Sequence, residues 1–195
     1  MNEFQWDKKL KIRTSGREDS HADDFHYPYE PTPYSVLHRL AASGYLTRNS
    51  VLVDYGCGRG RVGFFLHYFL GCSVTGIEYN KELYNQALKN RTIYVRHPGP
   101  DFLCANAEDF PVTDADCFYF FNPFSVKTLH RVLDRILTSY YRHPRPMYLF
   151  FYYPSNEYLS FLMTAAELTF LDEIDCQDLF EGKNKRERIL IFEIA

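Results

Sequence analysis

The sequence predicts an α/β domain: a doubly wound, mostly parallel seven-stranded sheet with a C-terminal antiparallel hairpin, preceded by an N-terminal arm and a helix. Three observations carry this. From residue 50 onward, short apolar runs alternate with segments of helical period. Two of the runs, "DCFYFF" and "MYLFFYY", are apolar at nearly every position, as suits central strands covered on both faces. The chain then closes with a strand, a polar loop and a strand.

The elements follow in order. Residues 1–30 are polar and aromatic without a clean period and read as an extended arm or lid, leaving 31–195 as the domain. In "TPYSVLHRLAASG", Thr32 can cap a helix, Pro33 suits its first turn, Val36, Leu37 and Leu40 share a face, and Gly44 can end it. "SVLVDY" predicts the first strand, "GRVGFFLHYFL" a helix, "CSVTGIE" the second strand, and "NKELYNQALKN" a helix capped by Asn80. "DFLCA", "DCFYFF" and "MYLFFYY" are the third to fifth strands. Between the last two, Val126, Leu129, Val132, Leu133, Ile136 and Tyr140 recur at helical spacing behind a Ser125 cap. "LTFLDEIDC" and "RERILIFEIA" bracket "QDLFEGKNK" as the hairpin.

Composition narrows the function classes. The 22 Lys and Arg against 25 Asp and Glu make a net charge of -3, so no overall basic field draws in nucleic acid, and such a partner would need a local patch. "KKLKIR" and "KNKRER" are local basic clusters that could touch phosphates, although such runs are more often simply solvated. Most of the abundant rings sit inside apolar runs and belong to the core. Cys57, Cys72, Cys104, Cys117 and Cys176 are odd in number and form no CxxC pair, which fits reduced thiols in the cytoplasm. The N-terminus is too polar for a signal peptide, and no apolar stretch reaches membrane-spanning length, so no membrane partner is expected.

The chemistry concentrates in "VLVDYGCGRGRVG", where an apolar strand ends in Asp54 and glycines follow at 56, 58, 60 and 63. Such a turn brings backbone amides and a helix N-terminus against a ligand at the carboxyl ends of the strands. Counted from Gly58, the glycines at 60 and 63 satisfy G-x-G-x-x-G, which keeps a nicotinamide dinucleotide open. Glu78, at the end of the second strand, can accept both hydroxyls of a ribose, and would serve either cofactor.

"VDYGCGRG" resembles the first motif of class I S-adenosylmethionine-dependent methyltransferases, and "GIEYN" their second. The resemblance covers residues 31–195, hairpin included, and implies S-adenosyl-L-methionine as cofactor. It implies that Asp54, Gly56, Cys57, Gly58 and Gly60 form the cofactor loop, with Asp54 supporting the methionine end, and that Glu78 and Tyr79 hold the ribose region. "CANAEDF" resembles the family's adenine-contacting segment, which places Asn106 and Ala107, with Glu108, beside the base. "HYPYEPTPY" resembles a segment that closes over the methionine carboxylate in small lysine and nucleic-acid methyltransferases. It implies Thr32 and Tyr34 as cofactor contacts and Tyr27 and Tyr29 as a roof, although Thr32 could equally serve only as the helix cap.

"FFNPFS" resembles the (Asp/Asn/Ser)-Pro-Pro-(Tyr/Phe) motif of amino-group methyltransferases, with the second proline missing. It implies Asn122, Pro123 and Phe124 as the catalytic set: the Asn122 side-chain carbonyl and the Pro123 peptide carbonyl accept hydrogen bonds from an amine, and Phe124 stacks on the acceptor. The other reading of this stretch is a strand-to-helix turn with Phe124 in the core. The acceptor stays open between a protein amine, a nucleic acid and a small molecule. His21, Asp23, Asp24 and His26 fit no standard zinc spacing, and no metal is expected. Two other function classes stand beside the enzyme: a nicotinamide-dependent oxidoreductase using Gly58, Gly60 and Gly63, and a non-catalytic module that binds S-adenosylmethionine.

Overall fold

A computed structural model of the chain describes residues 1–16 and 29–194. In chain order the elements are α1 (Glu3–Leu10), α2 (Tyr34–Ala42), β1 (Val51–Tyr55), α3 (Arg61–Leu70), β2 (Ser73–Glu78), α4 (Lys81–Ile93) and β3 (Asp101–Cys104). They continue with β4 (Cys117–Phe120), α5 (Val126–Arg142), β5 (Met147–Tyr152), α6 (Asn156–Leu162), β6 (Thr169–Asp175) and β7 (Arg188–Ile194). The sheet order is β3-β2-β1-β4-β5-β7-β6. β1 to β5 pair in parallel, and β7 lies antiparallel between β5 and β6. The doubly wound α/β sheet with a terminal hairpin is therefore the architecture, and its order reverses between β1 and β4.

Alternation along the strands divides the core in two. Leu52, Val74, Tyr119 and Phe150 face α1 to α4, whereas Val53, Phe118, Phe120 and Phe151 face α5 and α6. Both faces of β4 are thus covered, which is why its sequence is an unbroken apolar run. β6 is the exposed edge and carries Asp172, Glu173 and Asp175 along it, charges that discourage pairing with another chain.

Two caps sit where the residue pattern puts them: Asn80 accepts the Glu82 and Leu83 amides at the start of α4, and Ser125 accepts the Thr128 amide at the start of α5. The cap of α2 differs. Pro33 precedes its first residue with no side-chain cap, and the Thr32 hydroxyl instead meets the Tyr119 hydroxyl at 3.0 Å. The N-terminal segment also differs from an extended arm over residues 3–10. There Asn2 and Gln5 form a capping box, and α1 docks Trp6 against Tyr34 and Phe65. α6, between β5 and β6, completes the α5 face.

Candidate functional site

A cavity of about 290 Å³ opens at the carboxyl ends of β1, β2 and β4, at the point where the strand order reverses. β1 delivers Asp54 to it, and the loop to α3 follows with Gly56, Gly58 and Gly60 at φ of 73°, 54° and 87°, left-handed values that an L side chain rarely adopts. The Gly56 and Cys57 amides donate to the Ile77 carbonyl at 2.9 and 3.0 Å, fastening the loop to β2. A Cβ on Gly56 would run into Pro123, and one on Gly58 into the ring of Tyr29. The loop therefore touches both the turn after β4 and the segment before α2.

Glu78 is buried at the end of β2 and serves two masters: Oε2 accepts the Gly58 amide at 2.7 Å, and Oε1 accepts the Asn80 amide at 2.8 Å. Both bonds come from backbone amides, so the carboxylate is held at the mouth of the cavity it lines. Asp54 is 2% exposed, and its Oδ2 finds no partner among the described residues. Burial, and next the charge of Glu78, push its pKa up to about 8. A buried carboxyl without a partner asks for a cation or a hydrogen-bond donor. Asp54 and Glu78 together fit a ligand with a cationic amino-acid end and a ribose, and Gly56 lines the same cavity.

Tyr79, Asn106, Ala107 and Glu108 line the same cavity on the β2–β3 side. Tyr79 is half exposed, and Asn106 donates to Asp109 at 3.1 Å. Thr32 and Tyr29 line it from the N-terminal side. Tyr34 does not line it: its ring is 1% exposed, and its hydroxyl donates to Asp7 Oδ1 at 2.5 Å in the α1–α2 contact. Gly60 and Gly63 face packing rather than the cavity, with a Cβ on Gly60 meeting Phe102 at 2.6 Å and one on Gly63 meeting Val74 at 3.4 Å. Of the glycines in the dinucleotide count, Gly58 and Gly60 are thus set by left-handed backbone and by the rings of Tyr29 and Phe102, and Gly63 by helix–sheet packing. Tyr27, His21, Asp23, Asp24 and His26 lie outside the described residues. Among the described residues no cluster of His, Cys, Asp and Glu could hold a metal.

The turn after β4 holds the implied catalytic set. Asn122 sits at φ 43°, with Nδ2 donating to the Tyr153 carbonyl at 2.7 Å and Oδ1 accepting the Ser155 amide at 3.0 Å. Its amide group ties the β4 turn to the β5–α6 turn, and one lone pair of Oδ1 remains. Pro123 lines the cavity. Phe124 has its ring in the core, 4% exposed and near Tyr55 and Phe120, and its carbonyl accepts the Tyr158 hydroxyl at 2.7 Å. Phe124 still borders the cavity, and the half-buried ring of Phe121, which packs on Tyr152 at 4.7 Å, lines it as well. Four residues apart from a proline-turn motif, Lys127 on α5 also reaches the cavity wall.

Arg61, the first residue of α3, is the site residue least legible in the sequence. Its guanidinium is 3% exposed yet fully engaged: Nε donates to Thr14 Oγ1 at 2.8 Å, and Nη2 to Ser15 Oγ at 3.1 Å. Nη1 pairs with Glu3 and lies 3.3 Å from the Thr32 carbonyl. Asp7, beneath it, accepts from Thr14, Ser15 and Tyr34. Tyr29 in turn donates its hydroxyl to the Thr14 carbonyl at 2.7 Å. Residues 1–16 and 29–34 are thereby bolted to the end of the glycine loop. The residues after a glycine loop carry no marker for such a role, because its partners lie some tens of residues away in sequence.

Residues 52–147, from β1 to the start of β5, match the family model described as a methyltransferase domain. Comparison with curated protein sequences returns no match. Among solved structures, the chain is similar to an RNA methyltransferase from Salinibacter ruber in complex with S-adenosyl-L-homocysteine, at a TM-score of 0.58 and 18% identity over 85% of this chain and 94% of that one. It is similar to magnesium protoporphyrin IX methyltransferase from Synechocystis PCC 6803 with bound S-adenosylmethionine, at 0.59 and 16% over 83% and 77%. It is also similar to a tRNA (uracil-54, C5)-methyltransferase from Pyrococcus abyssi, at 0.62 and 16% over 94% of this chain but only 45% of that one. Residues 52–147 thus carry a methyltransferase domain, on the fold of solved methyltransferases that bind S-adenosylmethionine or its demethylated product.

Proposed function

We propose that the domain transfers a methyl group to an amino nitrogen at the wall formed by Phe121, Asn122 and Pro123. The observation that carries this is the contact between the two loops: Pro123 packs so closely on Gly56 that no side chain fits there. An acceptor beside Asn122 therefore abuts the cofactor loop. The finer choice of a nitrogen acceptor follows the Asn-Pro-Phe stretch, and a flat or aliphatic amine suits the Phe121 ring. Bound S-adenosylmethionine supplies an electrophilic methyl group.

The chain's own contribution is alignment and exclusion of water. Glu78, a carboxylate on the cavity wall, accepts from the ribose, Asp54 faces the cationic end, and Asn106 and Ala107 border the base. The free lone pair of Asn122 Oδ1 and the peptide carbonyls of the turn orient an amine so that its own lone pair points at the methyl carbon. Orientation of this kind contributes several kcal/mol, up to roughly 7–11 in the best intramolecular cases. All five cysteines are free, which suits a reducing, cytoplasmic setting.

The test compares Glu78→Ala with Asn122→Gly, the latter chosen because glycine accepts a φ of 43°. Glu78→Ala should weaken cofactor binding by about 100-fold or more, the loss of two charge-assisted bonds. Asn122→Gly should bind the cofactor within a few-fold of the parent and lose transfer of labelled methyl to amine-bearing peptides and oligonucleotides. A methyl group found on oxygen or carbon of the product sinks the nitrogen assignment. Parent-like cofactor binding in Glu78→Ala sinks the site.

A further inference from the structure

A second concavity, of about 500 Å³, lies at the opposite end of the sheet. Arg48 precedes β1, Leu70 and Gly71 precede β2, and Arg96 and His97 precede β3. The groove thus runs along the amino ends of three parallel strands, with the cofactor cavity at their carboxyl ends. His67, from the last turn of α3, completes a set of four basic side chains around it. No acidic residue lines the groove among those described, and neither Arg48 nor Arg96 pairs with a carboxylate among them.

The charges are held in place rather than splayed. The Arg96 guanidinium lies over the Tyr68 ring at 4.4 Å from its centroid, and Lys9 from α1 approaches the same ring at 5.5 Å. The Arg48 stem passes along Gly71, 3.7 Å from where a Cβ would be. His67 Nδ1 is 3.1 Å from the Tyr94 hydroxyl, which donates to the Phe64 carbonyl, so the ring orientation is set. Burial, and then the charge of Arg96, hold His67 below the usual histidine range, so it enters the groove as a neutral hydrogen-bonding ring and the charge rests on the arginines. On a protein with a net charge of -3, such a concentration of one sign is a local feature with a local use.

We propose that this groove binds phosphate groups: Arg48 and Arg96 engage the phosphoryl oxyanions, His67 and His97 line the wall, and Lys9 extends the field. Guanidinium forks pair bidentately with oxyanions, and two of them around one groove suit the several oxygens and higher charge of a phosphate. The phosphates come either from the backbone of a single-stranded nucleic acid anchored away from the transfer site or from a free polyphosphate. The inference stands apart from the identity of the methyl acceptor.

Fluorescence anisotropy with a short single-stranded RNA and calorimetry with pyrophosphate distinguish these sources, using the parent and Arg48→Gln/Arg96→Gln. Saturable RNA binding without pyrophosphate binding identifies a backbone contact, and saturable pyrophosphate binding identifies a free phosphate ligand. In either case the double variant should bind the same probe at least about tenfold more weakly. For RNA its slope of log affinity against log salt should be smaller by about 1.4, two contacts on a single strand. Arg48→Lys/Arg96→Lys should keep most of the salt slope, and an unchanged thermal shift with S-adenosylmethionine shows that each variant is folded. Absence of saturable binding by both probes, or parent-like binding by the double glutamine variant, overturns the proposal.

Discussion

Raising the pH from about 6 to 8 should tighten cofactor binding, because Asp54 must ionise to face a cation. In the free protein its pKa is about 8, raised by burial and by Glu78, so near neutrality the carboxyl is largely protonated. About 1% is ionised at pH 6, about 10% at pH 7 and about half at pH 8. If the cofactor's cationic end selects the carboxylate, affinity rises about tenfold over the first unit and about fivefold over the second. Above about pH 8 it falls again, as an α-amino group loses its own proton. Titration calorimetry in two buffers with different heats of ionisation, at about pH 6.5, should find close to one proton released per cofactor bound. Asp54→Asn should bind more weakly and release none. The sign for stability runs the other way: a carboxyl whose folded pKa exceeds its unfolded value near 4 stabilises the protein fully below that value. That contribution is lost as pH rises towards 8, by about 1.4 kcal/mol per unit within the window. Cofactor affinity that stays flat from pH 6 to 8, or equal proton release in Asp54→Asn, would refute the role given to Asp54.

Two further outcomes follow from the packing around the cavity. Gly56→Ala forces a left-handed residue and a collision with Pro123, together about 3 kcal/mol, and should lower the melting temperature by roughly 6–12 °C while abolishing cofactor binding. A melting temperature within about 2 °C of the parent would show that the two loops do not touch. Burial works against ionisation of Asp7, but bonds from Tyr34 and Thr14 and the charge of Arg61 outweigh it and hold its carboxyl below the usual range. Its contribution to docking is therefore present above about pH 4 and lost as pH falls through its folded value. Trp6, the single tryptophan, packs on Tyr34 and Phe65, so Asp7→Asn should shift its emission to the red at neutral pH. An unchanged spectrum would mean that α1 docks without the Asp7 network.

Much of the cofactor half was legible because it rests on local rules. Left-handed backbone at 56, 58 and 60 requires glycine, and glycines appear there; a strand-end carboxylate is needed beside the loop, and Glu78 stands at the end of β2. Continuous apolar runs marked β4 and β5 as central, and side-chain oxygens marked the starts of α4 and α5. α1 was harder to see, since its helix of eight residues carries few apolar positions and owes its place to Trp6 and the buried Asp7.

The acceptor half depends on contacts between distant residues. Nothing local distinguishes Phe121 from Phe124: the two flank the Asn122–Pro123 pair, and only the seating of Phe124 under Tyr158 and beside Tyr55 makes it the buried ring and Phe121 the half-buried one at the cavity. Asn122 spends most of its amide on Tyr153 and Ser155, and Arg61 spends its guanidinium on residues of the first helix and the turn after it. By itself, then, the sequence determined the α/β class, a mostly parallel sheet and the glycine loop after β1, because each follows from backbone stereochemistry or a period of a few residues. Only the tertiary structure decided how the rings around the cavity are seated, what Arg61 binds and where the four basic side chains of the far groove meet. Those outcomes depend on how strands far apart in the chain lie side by side, and no local pattern records that distance.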